Sequence, residues 1–330
     1  MKKFGKRIIA GTRGSLLARA QTNAVIEELI LQGGAAREEI ELLEFQTAGD
    51  RFVDRDLAAL DAKGFFVKEL EEALLSGKID LAVHSMKDLQ TEIPEGLSIG
   101  GVLRRGPSED LLCSREPASL ETLEEGSLVG TGSLRRKAQI LALRPDLVIG
   151  PIRGNVDTRL KKLERGEYRA VVLSAAGIDR LGIGGFSMVP LPIVPAVGQG
   201  AIGIEVRRER EDLLELLQRV TDEPTLFAVE AERSALRRLK GGCLAPIGIH
   251  CFASGRSYRL AGIVASLDGK RVVRAQMRGE KRTEAEGKRG WWCTDPRQAG
   301  EDLAEDLLKQ GAEEILDEVR GVLERMTETK

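Results

Sequence analysis

Two pairs of similar segments recur along this chain, and they constrain its fold more than any other feature. Residues 11–21 resemble residues 130–139, because each segment begins Gly-Thr, reaches a serine and opens an apolar helical pattern. Residues 77–85 resemble residues 166–174, because each runs from a glycine into an apolar stretch that ends in serine. Generic α/β sequence patterns could explain one pair. Two pairs in the same order favour two similar lobes.

Short apolar runs alternate with amphipathic segments through this region, which is typical of α/β lobes with mostly parallel sheets. The predicted strands are residues 7–10, 41–46, 79–84, 128–130, 147–150 and 170–173, and the predicted helices include residues 16–31 and 67–75. Two-lobed α/β proteins bind ligands in the cleft between the lobes, at the carboxyl ends of strands. We therefore expect both Gly-Thr turns at one cleft, with residues 103–107 and 190–203 crossing between the lobes.

The pattern changes after residue 224 and predicts a smaller α+β domain at the C-terminal end. Its predicted helices are residues 227–239 and 299–320, and its predicted strands are residues 247–252, 258–266 and 271–278. The length of 330 residues also fits two or three domains, at roughly 100–200 residues per domain. The predicted fold class is therefore α/β, with two similar lobes and a small α+β C-terminal domain.

Composition argues against several classes of function. The net charge of -2 lacks the basic surplus of general nucleic-acid binding proteins. The apolar run after the basic residues 1–7 is too short for a signal peptide, and no stretch reaches the length of a membrane span. Four dispersed cysteines and two histidines favour free thiols in the cytosol and no metal site. We therefore expect a cytoplasmic protein that binds neither nucleic acid nor membranes.

Arginines cluster at the turns predicted to line the cleft. Each Gly-Thr turn opens a helix, whose N-terminal N–H groups favour anions, with Ser15 or Ser133 beside it. The nearby guanidinium groups match carboxylates or phosphates; they belong to Arg13, Arg135, Arg136, Arg153, Arg159 and Arg180. So many cations would repel one another unless the ligand carries many carboxylates. Ordinary serine capping with solvated arginines is the alternative for either turn alone.

Three further features allow alternative interpretations. Asp88 would be the one carboxylate among these cations, and it could either pair with a cation or stabilise a cationic intermediate. Cys243 follows two glycines, so it is either a nucleophile or attachment point or a buried structural thiol. Residues 198–203 match G-x-G-x-x-G, but a strand-like stretch follows them, so we reject a dinucleotide site.

Together these segments resemble the hydroxymethylbilane synthase family, also called the porphobilinogen deaminase family. The matching stretches are residues 11–15, 83–88, 130–136, 153–159, 197–200 and 241–248. They occur in the family's order over nearly the whole chain, which makes the resemblance highly specific. The resemblance also implies lobes similar to those of type II periplasmic binding proteins. A two-lobed polyanion-binding protein without catalysis is therefore the alternative function.

The resemblance implies a transferase of tetrapyrrole, porphyrin and heme biosynthesis. In this family a dipyrromethane cofactor is thioether-linked to the cysteine that corresponds to Cys243. Four porphobilinogen units are added head to tail, each losing ammonia, and hydrolysis then releases hydroxymethylbilane. Asp88 would contact the pyrrole nitrogens and stabilise the positive charge that forms as ammonia departs. The family also implies porphobilinogen as the substrate and a monomer as the oligomeric state.

Specific positions match the family's binding residues. The cofactor-binding residues implied are Cys243, Lys87, Asp88, Ser133, Arg135, Arg136, Arg153 and Gly154. The substrate-binding residues implied are Arg13, Ser15, Arg153, Arg159, Arg180 and Lys63. The domains implied are residues 1–103 with 200–219, residues 104–199, and residues 220–330.

The chain departs from the family pattern in three places. Residues 50–66 correspond to the family's mobile lid, and Ala59 stands where a second lid lysine is common. Gln90 stands where proline is usual. Residues 282–296, with Trp291, Trp292 and Cys293, are predicted to be a surface addition to the third domain.

Overall fold

The computed structural model describes residues 4–46, 67–242, 245–254, 257–280 and 295–328. The first elements are β1 (Ile8–Arg13), α1 (Leu16–Glu28), β2 (Ile40–Phe45), α2 (Lys68–Leu75), β3 (Leu81–Ser85), β4 (Leu97–Val102) and β5 (Asp110–Ser114). Then come β6 (Leu128–Gly130), α3 (Leu134–Leu143), β7 (Val148–Gly150), α4 (Val156–Glu164), β8 (Ala170–Ser174), α5 (Ala175–Arg180), β9 (Ser187–Pro190), β10 (Ile202–Arg207) and α6 (Glu211–Val220). The last are α7 (Glu223–Arg238), β11 (Ile247–Ser254), β12 (Ser257–Ala265), β13 (Val272–Glu280), α8 (Pro296–Lys309) and α9 (Ala312–Glu328).

The two α/β lobes contain sheets of the same plan. The first sheet has the order β2-β1-β3-β10-β4, and the second has the order β7-β6-β8-β5-β9. In each sheet the second strand pairs in parallel with both its neighbours, and the fourth strand is antiparallel to both of its neighbours. The repeat in the sequence therefore corresponds to a repeat in the structure, and the predicted fold class of two similar lobes is confirmed.

The fourth, antiparallel strand of each sheet comes from a different point in the chain order. In the second sheet, β5 precedes the parallel strands of its own lobe. In the first sheet, β10 enters only after the chain has completed the second sheet, and its Ile204 pairs with Val83 of β3. The segments 103–109 and 191–201 therefore both connect the two sheets, in opposite directions.

The first sheet is stabilised mainly by apolar burial against α1 and α6. Ile8, Leu81 and Ile204 on the sheet and Val25 and Leu217 on the helices are fully buried in one cluster. Burying one such side chain contributes about 1.5–3 kcal/mol. Because the cluster combines N-terminal strands with a helix that follows β10, the first lobe needs both parts of the chain.

The third domain is an antiparallel sheet covered by helices. The sheet has the order β11-β12-β13, and α7 packs on both β11 and α8. Helix α7 begins at Glu223 because the Asp222 carboxylate accepts a hydrogen bond from the N–H of Thr225 at 3.0 Å. The prediction of one helix over 299–320 is wrong, because Gly311, with φ of +95°, ends the first helix and separates α8 from α9. None of the described helices combines the length and apolarity needed to cross a bilayer.

A buried ion pair joins the crossing segments to the third domain. Arg105 donates from Nη1 to Glu232 of α7 at 2.6 Å and from Nε to the carbonyl of Gln199 at 2.8 Å. The carboxylate of Glu232 also accepts from the N–H groups of Gly198 and Cys251, at 2.6 and 2.7 Å. Glu232 therefore ties both crossings to α7, and removing one partner of such a buried pair typically costs about 3–5 kcal/mol.

Gly198 allows the second crossing to lie directly on the backbone that follows β3. Its φ is +70°, and a Cβ placed there would lie 2.7 Å from the Cβ of Met86 and 3.2 Å from the nitrogen of Lys87. The strand β10 follows this segment, whereas a dinucleotide-binding motif would open a helix. Gly198 therefore serves close backbone packing.

We predict that Gly198→Ala lowers the free energy of unfolding by about 2–4 kcal/mol, because it adds left-handed backbone strain and overpacks Met86. The matched control is Gly126→Ala, since Gly126 has φ of +74° and a Cβ added there would meet nothing within 4 Å. It should lose only about 1 kcal/mol in urea denaturation. Equal losses in the two variants would contradict the close-packing role of Gly198.

Candidate active site

The two Gly-Thr turns place serines at the starts of equivalent helices. The Ser15 hydroxyl accepts a hydrogen bond from the N–H of Ala18 at 3.2 Å, and the Ser133 hydroxyl accepts one from the N–H of Arg136 at 3.4 Å. Both serines are therefore N-caps, as the simpler interpretation of each turn requires. Capping leaves the other N–H groups of each first turn available for an anion.

The lobes meet beside these helix starts. A Cβ on Gly177 of α5 would lie 3.7 Å from Leu17 of α1 and 3.7 Å from Val156 of α4. The start of α1 in the first lobe therefore lies against two helices of the second lobe. This contact brings the predicted binding turns of both lobes to one place.

Arg135 and Arg136 point inward and share a buried carboxylate. Arg135 donates from Nη1 to Oδ2 of Asp110 at 2.7 Å, and Arg136 donates from Nε to Oδ1 at 2.8 Å. The three residues are only 5%, 6% and 0% exposed. Although burial opposes ionisation, the two guanidinium groups hold the pKa of Asp110 far below its usual value. The expectation that Asp88 is the one carboxylate among these cations is therefore wrong.

Gln199 from the second crossing completes this buried network. Its Nε2 donates to the carbonyl of Ser108 at 2.7 Å and to Oδ1 of Asp110 at 3.0 Å. Its side-chain oxygen is buried and has no hydrogen-bond partner among the described residues. The network therefore combines two buried cations with an unused acceptor.

Lys87 and Asp88 lie on the single 3₁₀ turn Met86–Asp88 that follows β3. Burial lowers the pKa of Lys87 to about 8, although attraction to Asp88 and Asp110 outweighs repulsion from Arg136 and Arg135. Lys87 of the first lobe is therefore within electrostatic reach of the arginine pair of the second lobe. Near neutral pH its ammonium is held in a site that already contains an excess of positive charge.

Arg159 brings a further cation from the second lobe towards Asp88. Its Nε donates to the carbonyl of Gly154 at 2.8 Å, which fixes the guanidinium against the turn that starts α4. Burial lowers the pKa of Arg159 to about 10, with repulsion from Arg136 and Arg153 opposed by attraction to Asp88. Asp88 thus interacts with cations of both lobes.

Arg180 and Arg13 occupy different surroundings. Arg180 donates from Nη2 to the carbonyl of Gly200 at 2.6 Å, so it binds the second crossing rather than the Asp88 group. Arg13 ends β1, opposite Phe45 in the parallel pairing with β2. Both lie at the edge where the lobes meet.

Two predicted site residues lie outside the described residues. They are Lys63 and Cys243, and the lid position Ala59 and the addition at residues 282–294 lie outside as well. The glycines before Cys243 differ, since a Cβ on Gly241 would lie 2.5 Å from Leu236 and Ile247, whereas Gly242 has nothing within 4 Å. Of the two glycines before Cys243, only Gly241 is therefore tightly packed against described side chains.

The sequence did not single out Asp110 or Gln199. Asp110 is the first residue of β5 and follows a glutamate, so nothing in its spacing separates it from ordinary surface acids. A signal existed for Gln199, because it lies between the two glycines of the crossing, but that motif points first to dinucleotide binding. Nowhere in the described part of the chain do three His, Cys, Asp or Glu side chains form a metal site.

Known proteins are similar in sequence to this chain over nearly its whole length. Residues 8–215 match the family model described as porphobilinogen deaminase, dipyrromethane cofactor binding domain, and residues 226–309 match the porphobilinogen deaminase C-terminal domain. The porphobilinogen deaminase of Nitratidesulfovibrio vulgaris strain Hildenborough is 46% identical over 318 residues, covering 95% of this chain and 97% of that protein. That of Brevibacillus brevis is 44% identical over 313 residues, covering 94% and 96%.

A periplasmic domain provides a more distant structural comparison. The VFT2 domain of Bordetella pertussis BvgS matches with a TM-score of 0.40 and 18% identity, covering 65% of this chain and 86% of that domain. The sequence similarity covers more of the chain, because the two family models and the full-length relatives all name porphobilinogen deaminase. The chain belongs to the porphobilinogen deaminase family.

Proposed function

We propose that this protein is a hydroxymethylbilane synthase. It would join four porphobilinogen molecules head to tail on a covalently held dipyrromethane, with loss of ammonia at each addition, and then release the product by hydrolysis. One observation carries the proposal within this family: Asp88 interacts with a cation of each lobe, Lys87 and Arg159. Three further cations, Arg135, Arg136 and Arg153, act on these two, and Asp110 is the second carboxylate of the group.

The excess of positive charge fits a ligand with several carboxylates. Burial lowers the pKa values of Lys87 and Arg159, and repulsion from Arg136 and Arg153 adds to the effect at Arg159, so bound carboxylates would relieve a cost that the folded protein already bears. Each charge-assisted hydrogen bond is worth about 1.5–3 kcal/mol. The buried oxygen of Gln199 adds an unused acceptor to the same group. A dipyrromethane, with its acetate and propionate carboxylates and its pyrrole N–H donors, fits this set.

We assign the binding roles by match to the family's motifs. Lys87, Ser133, Arg135, Arg136, Arg153 and Gly154 would hold the cofactor, and Arg13, Ser15, Lys63, Arg153, Arg159 and Arg180 would hold porphobilinogen. When bound, dipyrromethane supplies the pyrrole carbon that starts the chain. Asp88 would accept hydrogen bonds from pyrrole N–H groups and stabilise the positive charge that develops on porphobilinogen as ammonia departs. Asp88 interacts with a cation of each lobe, Lys87 and Arg159, so it lies where groups from both lobes meet.

Cys243 is the cysteine that we assign as the attachment point. Burial raises the pKa of Cys113 to about 12 and raises the pKa of Cys251 further, so neither thiol is available as a thiolate at neutral pH. Gly242, beside Cys243, has open space around it.

We further propose how the chain is divided and where it works. The first lobe would comprise residues 1–103 and 200–219, because β10 and α6 complete its sheet and core. Residues 104–199 would form the second lobe, and residues 220–330 the third domain. The protein would act as a cytoplasmic monomer that binds no nucleic acid.

We predict that intact-mass measurement of the purified protein shows an adduct of two pyrrole units, and that Cys243→Ser abolishes it. The matched control is Cys293→Ser, which should retain the adduct. An adduct that survives Cys243→Ser would reject this attachment point. A wild-type protein that gains no adduct even after incubation with porphobilinogen, and consumes none, would instead support a polyanion-binding protein without catalysis.

We predict that Asp88→Asn keeps the fold and the adduct but lowers porphobilinogen turnover by about 10²- to 10³-fold, because it removes the stabilising negative charge. The control is Asp157→Asn, on the exposed side of α4, which should turn over within about twofold of wild type. Turnover by Asp88→Asn at the wild-type rate would remove Asp88 from the catalytic step.

A further inference from the structure

Helix α7 contacts the turn that carries Asp88 through a buried arginine. Arg233 is 4% exposed and donates from Nη1 to the carbonyl of Leu89 at 3.3 Å. Its Nη2 donates to the carbonyl of Thr91 at 3.0 Å and also to the carbonyl of Gln90. One guanidinium group thus holds three successive carbonyls immediately after Asp88.

The other side of the same turn is held by the second crossing. The N–H of Met86 donates to the carbonyl of Ala201 at 3.1 Å, and Gly198 packs against the backbone of Met86 and Lys87. Glu232, the neighbour of Arg233 on α7, accepts from the N–H of Gly198. Glu232 therefore holds the second crossing on one side of the turn, and the adjacent Arg233 holds the chain that follows Asp88.

Helix α7 also leads to the attachment loop. It ends at Arg238, and Gly241 and Gly242 follow within one short segment before Cys243. A change in the position of α7 would therefore move the start of this loop and the Asp88 turn together. Few other arrangements would keep a catalytic carboxylate in register with a group tethered on another domain.

We propose that Arg233 is a positioning residue for the reaction, which fixes Asp88 relative to the cofactor attached at Cys243. This inference rests on the proposed function. Arginine suits the role, because its planar fork can donate to several carbonyls at once, whereas lysine presents a single ammonium. Without Arg233, the carbonyls of residues 89–91 would lose a charged donor at a buried interface, and the turn would loosen.

The test compares Arg233→Gln, Arg233→Lys and the control Arg237→Ala as holo-proteins. Arg237 is exposed on the same helix, and its one hydrogen bond to a described residue goes to the carbonyl of Thr91, at 3.3 Å. We expect Arg233→Gln to retain the adduct and to lower kcat by about 10- to 100-fold, with KM for porphobilinogen within about threefold. Arg233→Lys should give an intermediate kcat, and Arg237→Ala should remain within about twofold of wild type.

Hydrogen exchange separates positioning from general destabilisation. In Arg233→Gln, amide exchange should accelerate at residues 87–91, including the N–H of Leu89 that donates to Met86, but should not change in β6 and β8 of the second lobe. The inference is overturned if kcat is unchanged, or if exchange accelerates equally across the protein and kcat merely follows the unfolding midpoint. Wild-type protein that consumes no porphobilinogen would overturn the proposed function and this inference with it.

Discussion

The buried carboxylate of Asp110 between Arg135 and Arg136 is the interaction on which the rest of the site depends. Without it, these two guanidinium groups, only 5–6% exposed and within electrostatic reach of a third cation, Lys87, would repel each other strongly. Asp110 neutralises part of that charge and fixes the two forks, but it does not neutralise the group. The remaining positive charge is what a polycarboxylate ligand would balance, so the fold itself prepares the site for its ligand.

The third domain determines how the lobes are held around this site. Glu232 and Arg233 are adjacent on α7, yet one binds the crossing at Gly198 and the other binds the chain after Asp88. Both crossings reach α7 through Arg105. In the proposed function, the tether at Cys243 and the carboxylate of Asp88 must keep a fixed relation, and α7 would link the two.

Local sequence patterns predicted the two lobes and the helix starts, because the repeated turns and strand-end serines are local features. The short strands β4, β5 and β9 were missed, since their pairing is decided by partners distant in sequence. Asp110 was missed for the same reason. The break at Gly311 was missed because a glycine is tolerated within a helical pattern, and only its positive φ ends the helix. The assigned binding roles remain predictions from motif positions, although the structure brings many of these residues together.

The most direct test of the account is the pKa of Lys87 in protein with and without the dipyrromethane adduct, measured by NMR of isotopically labelled lysine amines and assigned with Lys87→Arg. Without the adduct, burial should hold this pKa at about 8. With the adduct, bound carboxylates should favour the charged ammonium and raise the pKa by about one unit or more. An identical pKa in both forms would contradict the claim that these cations bind the cofactor's carboxylates.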